Sequence, residues 1–366
     1  MPEWTTSLIM TLCGFGVGMV MGATARGARF CTFGAIEDFV LAGKTLRIRS
    51  WALAIAVAVI AVQVMRHTGV ARLEESIYLV PRLGWAGAIV GGLTFGLGMA
   101  FAGTCGYGVL VRMGGGDLKA TVNCLVMGAT AYMTARGLTG LFRVAAIEPL
   151  AIDLPQFDAL GLPDVLAGMI GQPPRLLFAP IGLAIGGLIA WWCFANAEFR
   201  RARRDILTGL IVGLAVAAGF FLTGYFGDDP FNPSRVVSLT YALPPGETLV
   251  WLMTFSGSTA NFGIGTVLGT IVGSLVVALA KSETRWEAFD DDREMRRHLI
   301  GAMLMGFGGV TALGCTIGQG ISAMSTLSLT APITLASIVV GAVFGLHYVL
   351  TGSFREALRQ IRPERR

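Results

Sequence analysis

The chain has 366 residues, 54% hydrophobic and only 14% charged, with a mean hydropathy of +0.67 and a net charge of +5. Soluble domains carry about 25% charged residues, so this balance excludes an ordinary soluble protein and points to an all-α polytopic membrane protein. Six cysteines without a CxxC pair and three distant histidines suggest no zinc site, and no cofactor is expected.

Nine apolar runs are long enough to cross a bilayer, at roughly 7–26, 50–66, 84–103, 118–138, 175–195, 205–226, 261–281, 297–314 and 331–352. The first has no Lys or Arg ahead of it and continues through GFGVGMVMGATA, which argues against a cleaved signal peptide. Four shorter stretches read as re-entrant half-helices or loops: FCTFGAIEDFVLAG, TCGYGVLV, TLVWLMTFSG and TIGQGISAMSTLSL. Irregular backbone at membrane depth is tolerated only where protein or a water-filled cavity covers it. The longest polar insertions are 139–174 and 227–246.

The basic residues test this count. With nine spans, one side receives the loops after spans 1, 3, 5 and 7 and the C-terminal tail, leaving only Arg66, Arg72, Arg82, Arg136, Arg143, Arg175 and Arg235 for the other. The positive-inside rule then puts the N-terminus outside and the C-terminus in the cytoplasm. Basic cytoplasmic loops account for the net charge, and no nucleic-acid partner is needed.

Aligned on Cys105 and Cys315, GLGMAFAGTCGYGVL and GFGGVTALGCTIGQG match at Gly96/Gly306, Gly98/Gly308, Ala102/Ala312 and Gly108/Gly318. Each cysteine follows the third span of its half. The chain thus reads as a single transmembrane transporter domain. Repeat one is 7–138, the connecting helix 175–195, and repeat two 205–352. An odd number of spans separates the halves, so they are inverted, with a site expected near the midplane.

Glycines along the spans are packing residues. Those beside Cys105 and Cys315, including Gly106, permit tight turns and open backbone N–H groups to a ligand. Cys31, in RGARFCTFGAIEDF, sits in a third broken-helix region near the cytoplasmic face. Cys13, Cys124 and Cys193 lie inside spans and read as buried packing. Thr104, Thr316, Gln319, Ser258 and Asn261 are candidates for polar support, chosen by nearness in sequence. Gly43-Lys44-Thr45 has Asp38 where a nucleotide-binding loop needs glycine, so no ATPase is read. Gly114–Asp117 reads as a cytoplasmic loop with a helix-starting Asp.

At RFCTFGAIEDF, FAGTCGYGVLVRMGGGDLKA and GVTALGCTIGQGIS, the chain resembles the YeeE/YedE family of sulfur-compound transporters, over essentially its whole length. The resemblance implies a multi-pass protein of the bacterial inner membrane that takes up thiosulfate, with Cys31, Cys105 and Cys315 contacting it in turn. It also implies a cytoplasmic thiol sulfurtransferase as partner. Related members handle selenium compounds, so that substrate is the alternative. In the second half, Ser256 and Ser258 stand where Cys31 stands in the first. Protonated thiols would act as weak stations, since S–H is a weak donor that can orient a soft sulfur and let it go. A second alternative, a membrane sulfurtransferase passing sulfur as a cysteine persulfide, needs a reactive thiol. No Lys or His adjoins Cys105 or Cys315. An anion channel and a purely structural subunit are the remaining classes.

Overall fold

The computed structural model describes residues 3–157, 159–227 and 235–353. The tail arginines of the charge argument lie outside these residues. The first part runs α1 (Glu3–Ala28), α2 (Thr32–Ala42), α3 (Leu46–Thr68), α4 (Trp85–Ala102), α5 (Gly106–Gly114) and α6 (Leu118–Arg136). Three helices, α7 (Leu138–Phe142), α8 (Leu162–Ile170) and α9 (Arg175–Phe194), lead through α10 (Ala197–Arg201) to the second part. That part holds α11 (Arg203–Phe226), α12 (Pro244–Met253), α13 (Phe262–Ala280), α14 (Asp292–Thr311) and α15 (Thr330–Thr351). The sole sheet among the described residues is a two-residue antiparallel pair, β1 (Arg82–Leu83) and β2 (Ile152–Asp153).

Nine of the described helices have 18 residues or more, one for each expected span. Seven are apolar enough to cross a membrane on hydropathy alone. The other two, α6 and α14, are long enough but more polar. Helix α14 opens with DREMRRH before its apolar stretch, and α6 carries Lys119, Asn123 and three threonines. The run expected at 50–66 extends to 23 residues because α3 begins four residues earlier, at Leu46, and ends two later, at Thr68. The four short stretches overlap α2, α5, α12 and a π-helical turn, Gly318–Ala323.

Small residues set the packing. On α1, Gly14, Gly18 and Gly22 face the carbonyl oxygens of Phe262, Thr266 and Thr270 on α13, where an added Cβ would come within 2.3, 2.3 and 2.0 Å. Gly265, Gly269 and Gly273 on α13 return the contact to Thr11, Phe15 and Met19, each at 2.1 Å. A spacing of four on both helices keeps all six glycines on one seam, so the backbones touch. The α4–α15, α4–α14 and α3–α11 contacts are built the same way. Helix α14 also packs on α6, and α11 on α1.

Basic residues gather at one end of the bundle. Arg26 donates to the Glu283 carbonyl at 2.8 Å, Lys281 to that of Gly27 at 3.3 Å, and Lys119 to Glu294 at 2.9 Å. Arg47 pairs with Asp38 at 3.2 Å on the same face. At the opposite end, Arg66 pairs with Asp164 at 2.9 Å and Arg82 with Asp153 at 3.3 Å.

Candidate functional site

The chain breaks three times in one way. A residue in the left-handed region stands two places before each framed cysteine: Arg29 (φ 56°), Gly103 (φ 63°) and Leu313 (φ 57°). The cysteine follows and helix resumes directly after it. Cys31 is the extended N-cap of α2 (φ −146°, ψ 131°), and Cys105 that of α5 (φ −85°, ψ 166°). Glycine at 103 meets this geometry without strain, whereas Arg29 and Leu313 hold it at a cost of about 1–2 kcal/mol each. Each thiol therefore sits at a helix start, where unbonded N–H groups and the helix dipole favour an anion.

The three thiols form two stations. Cys31 Sγ lies 3.9 Å from Cys105 Sγ. The amide of Gly108 donates to Cys105 Sγ at 3.3 Å, and a Cβ on that glycine would meet Thr104 Oγ1 at 2.3 Å and Cys31 Sγ at 3.4 Å. Glycine at 108 is thus what lets the two thiols close on the helix start. Cys315 Sγ accepts from the amides of Tyr241 at 3.2 Å and Gly318 at 3.5 Å. The stations meet through the rings of Tyr107 and Tyr241, 4.9 Å apart between centroids. Tyr107 donates to the Met21 carbonyl at 2.7 Å, and Tyr241 shares a hydrogen bond with Thr270 at 3.0 Å, so both rings are fixed. Cys105 and Cys315 are fully buried, and Cys31 is half-buried.

Two cavities approach from opposite ends. The larger, about 480 Å³, is lined by Thr6, Ser7, Arg136, Arg235, Thr240, Glu247, Asn261 and Gly314, and so reaches the neighbours of Cys315. The smaller, about 10 Å³, has room for about one water and is lined by Arg29, Cys31, Arg47 and Trp51 at the basic end. Trp51 also reaches the second station: a Cβ on Gly320 would meet its ring at 2.2 Å.

The support residues divide. Thr316 and Gln319 are buried beside Cys315, and Thr316 Oγ1 and Gln319 Oε1 lack hydrogen-bond partners, while Gln319 Nε2 donates to the Ala312 carbonyl at 2.8 Å. Thr104 is buried against Gly108, and Gly106 lies where a Cβ would meet the Tyr241 carbonyl at 3.2 Å. Asn261 is an N-cap instead: its Oδ1 accepts from Ile264 at 2.9 Å, and it stands at the wall of the large cavity. Ser258 bonds back to the Thr254 carbonyl at 2.9 Å, just past α12. Neither reaches a thiol. Cys193 donates to the Arg49 carbonyl at 3.3 Å in a separate small cluster, and Cys124 packs in the main core.

Sequence reasoning passed over Tyr241. Cys31 meets Cys105 across 74 residues, and Tyr241 meets Cys315 across the same 74. Tyr241, rather than Ser256 or Ser258, is thus the second-half residue that meets a framed cysteine. A search for matching residue types cannot find it.

These features define a polytopic membrane protein with buried thiols at broken-helix starts between two opposed cavities. Residues 27–344 match the sulphur transport family, and the chain belongs to that family. It is 27% identical to the thiosulfate transporter TsuA of Escherichia coli (strain K12), over 98% of this chain and 97% of that protein. It is 26% identical to the thiosulfate transporter TsuA of Spirochaeta thermophila, over 91% of this chain and 97% of that protein.

Proposed function

We propose that this chain carries thiosulfate, or a closely related small sulfur anion, inward across the bacterial inner membrane. Transport proceeds along Cys315, Cys105 and Cys31, with no chemical change in the substrate. The observation that carries this reading is the placement of three thiols at helix starts, one pair 3.9 Å apart and the third beside the wall of the large cavity. A bare dianion in low dielectric costs tens of kcal/mol. Helix-start amides offset that cost without the tight grip of a lysine or arginine. A protonated thiol adds a weak donor suited to a soft sulfur and does not repel the anion.

The reading includes two inverted repeats, 7–138 and 205–352, joined by 175–195. It is supported by the way the packing survives exchange of the halves. Swapping α1, α3, α4 and α6 with α11, α13, α14 and α15 turns the α1–α13 contact into α11–α3 and α4–α15 into α14–α6, and all four occur. The pairs α1–α11 and α4–α14 map onto themselves and also occur. The basic end faces the cytoplasm in this reading and offers a docking face for a thiol sulfurtransferase that consumes the product.

The test is uptake of labelled thiosulfate into proteoliposomes by the wild type and Cys105→Ala, with sulfate and selenite as competitors. Saturable uptake that falls at least tenfold in the variant is expected. Uptake of selenite in place of thiosulfate would move the substrate to selenium compounds. Full uptake by the variant would remove the thiol path.

A further inference from the structure

We propose that Arg136 and Arg235 are the capture residues of the transport path, drawing a doubly charged anion into the large cavity ahead of the thiols, with Glu247 setting the strength of the pull. This rests on the transport reading above and deepens it: charge is read at the mouth, before sulfur is read at Cys315.

The expected topology leaves seven arginines at the end opposite the basic one. Five of them are tied into the structure. Arg66 pairs with Asp164 at 2.9 Å, Arg82 with Asp153 at 3.3 Å, and Arg143 with Glu148. Arg175 donates to the carbonyls of His67 at 2.8 Å and Thr68 at 3.0 Å, and Arg72 is engaged as well. Arg136 and Arg235 differ. Both are exposed, and among the described residues neither makes an ion pair or a side-chain hydrogen bond. Both line the large cavity, Arg136 from the last position of α6 and Arg235 from the segment between α11 and α12. The five arginines that hold the fold together lie outside that lining, and the two that do not stand in it.

The cavity leads from these arginines to Cys315. Its wall includes Gly314, which precedes Cys315, and Thr240, which precedes the Tyr241 amide that donates to that thiol at 3.2 Å. At about 480 Å³ it has room for a small anion with some of its water. The third charged wall residue is Glu247, whose Oε2 accepts from Asn261 Nδ2 at 3.1 Å. Two arginines against one glutamate leave the lining with an excess of positive charge. A cleft with such an excess and low-dielectric walls concentrates the opposite ion and speeds its entry. A dianion feels twice the pull of a monoanion. In a wet cavity the attraction is weak and screened by salt, so the anion is gathered without being trapped.

The test measures uptake of labelled thiosulfate in proteoliposomes at about 0.01 M and about 0.3 M salt, read as maximal rate over KM. Arg136→Gln and Arg235→Gln are each expected to lower this efficiency about threefold at low salt, and the double variant about tenfold. At high salt every deficit should shrink below about twofold. Arg136→Lys keeps the charge and should stay close to wild type. Glu247→Gln keeps an acceptor for Asn261, removes the opposing charge and should raise low-salt efficiency about threefold. Arg82→Gln removes an equal charge at the same end but outside the cavity, and should change efficiency by less than about twofold. A double variant as efficient as wild type at low salt overturns the proposal and leaves thiosulfate transport standing. A deficit equal at both salt concentrations overturns it too, because a structural defect is not screened. So does an equal fall in Arg82→Gln, which would make the effect one of net charge. If the double variant is not recovered, Glu247→Gln decides alone: a gain confined to low salt supports the proposal, and no gain overturns it. A wild type that carries no thiosulfate at either concentration overturns the transport reading, and the capture role with it.

Discussion

Arg66 illustrates how a single buried charge is held outside the thiol path. Its side chain is fully buried near the end of α3, and its Nη2 donates to both carboxylate oxygens of Asp164 on α8, at 2.9 and 3.1 Å. The guanidinium lies 3.8 Å over the Phe178 ring on α9, so one residue ties three helices together. Burial pushes the Asp164 carboxyl above its ordinary range, and the Arg66 charge opposes that push. Arg66→Met removes the opposition and leaves a buried, unpaired carboxylate. The expected loss is about 3–5 kcal/mol at neutral pH. The sign of the pH dependence follows from linkage. A carboxyl raised in the folded state favours folding when protonated, so the loss shrinks as pH falls below the raised value and grows as pH rises through it. Thermal unfolding in detergent at pH 5 and pH 8 checks this. A variant whose deficit is equal at both values would show that Asp164 is not the group left behind.

At the scale of elements, glycine spacing does the assembling. Gly18 on α1 would place a Cβ 2.3 Å from the Thr266 carbonyl, whereas Gly16, two residues earlier, has nothing within 4 Å. Gly18→Leu should therefore force α1 off α13 and lower the melting temperature of the purified protein by several degrees or prevent its recovery. Gly16→Leu, on the exposed face, should behave as wild type. Equal behaviour of the two would mean the seam is not what holds α1. Hydropathy made seven of the nine long helices legible as apolar runs, and α6 and α14 were legible as shorter apolar stretches within more polar helices. The broken helices were legible at Cys105 because Gly103 advertises a left-handed turn. The same turn at Arg29 and Leu313 carries no such residue, so there only the short apolar stretches hinted at it. Tyr241 was not legible. It reaches Cys315 from the α11–α12 connection, and no local pattern links residues brought together only by the fold.

At the scale of the whole molecule, charge sets the proposed direction. Arg26, Arg47, Lys119 and Lys281 all bond at the end that carries the small cavity beside Cys31, while the large cavity near Cys315 opens among Thr6, Ser7 and Asn261 at the other end. Lys and Arg near span ends are retained on the cytoplasmic side. In the proposed reading the small cavity faces the cytoplasm, and substrate entering from outside meets Cys315 first. Two exposed positions far from the thiols report this orientation: Gln156, between β2 and α8, and Thr284, between α13 and α14. The native cysteines are all buried or half-buried, so background labelling is low. A membrane-impermeant maleimide should label Gln156→Cys from the outer side of the inner membrane and Thr284→Cys only in inverted vesicles. The reverse pattern would reverse the path, making Cys31 the first thiol met and the molecule an exporter in its geometry. Labelling of each position from both sides would mean that the charge asymmetry does not fix one orientation, and the order of the thiols would then carry no direction.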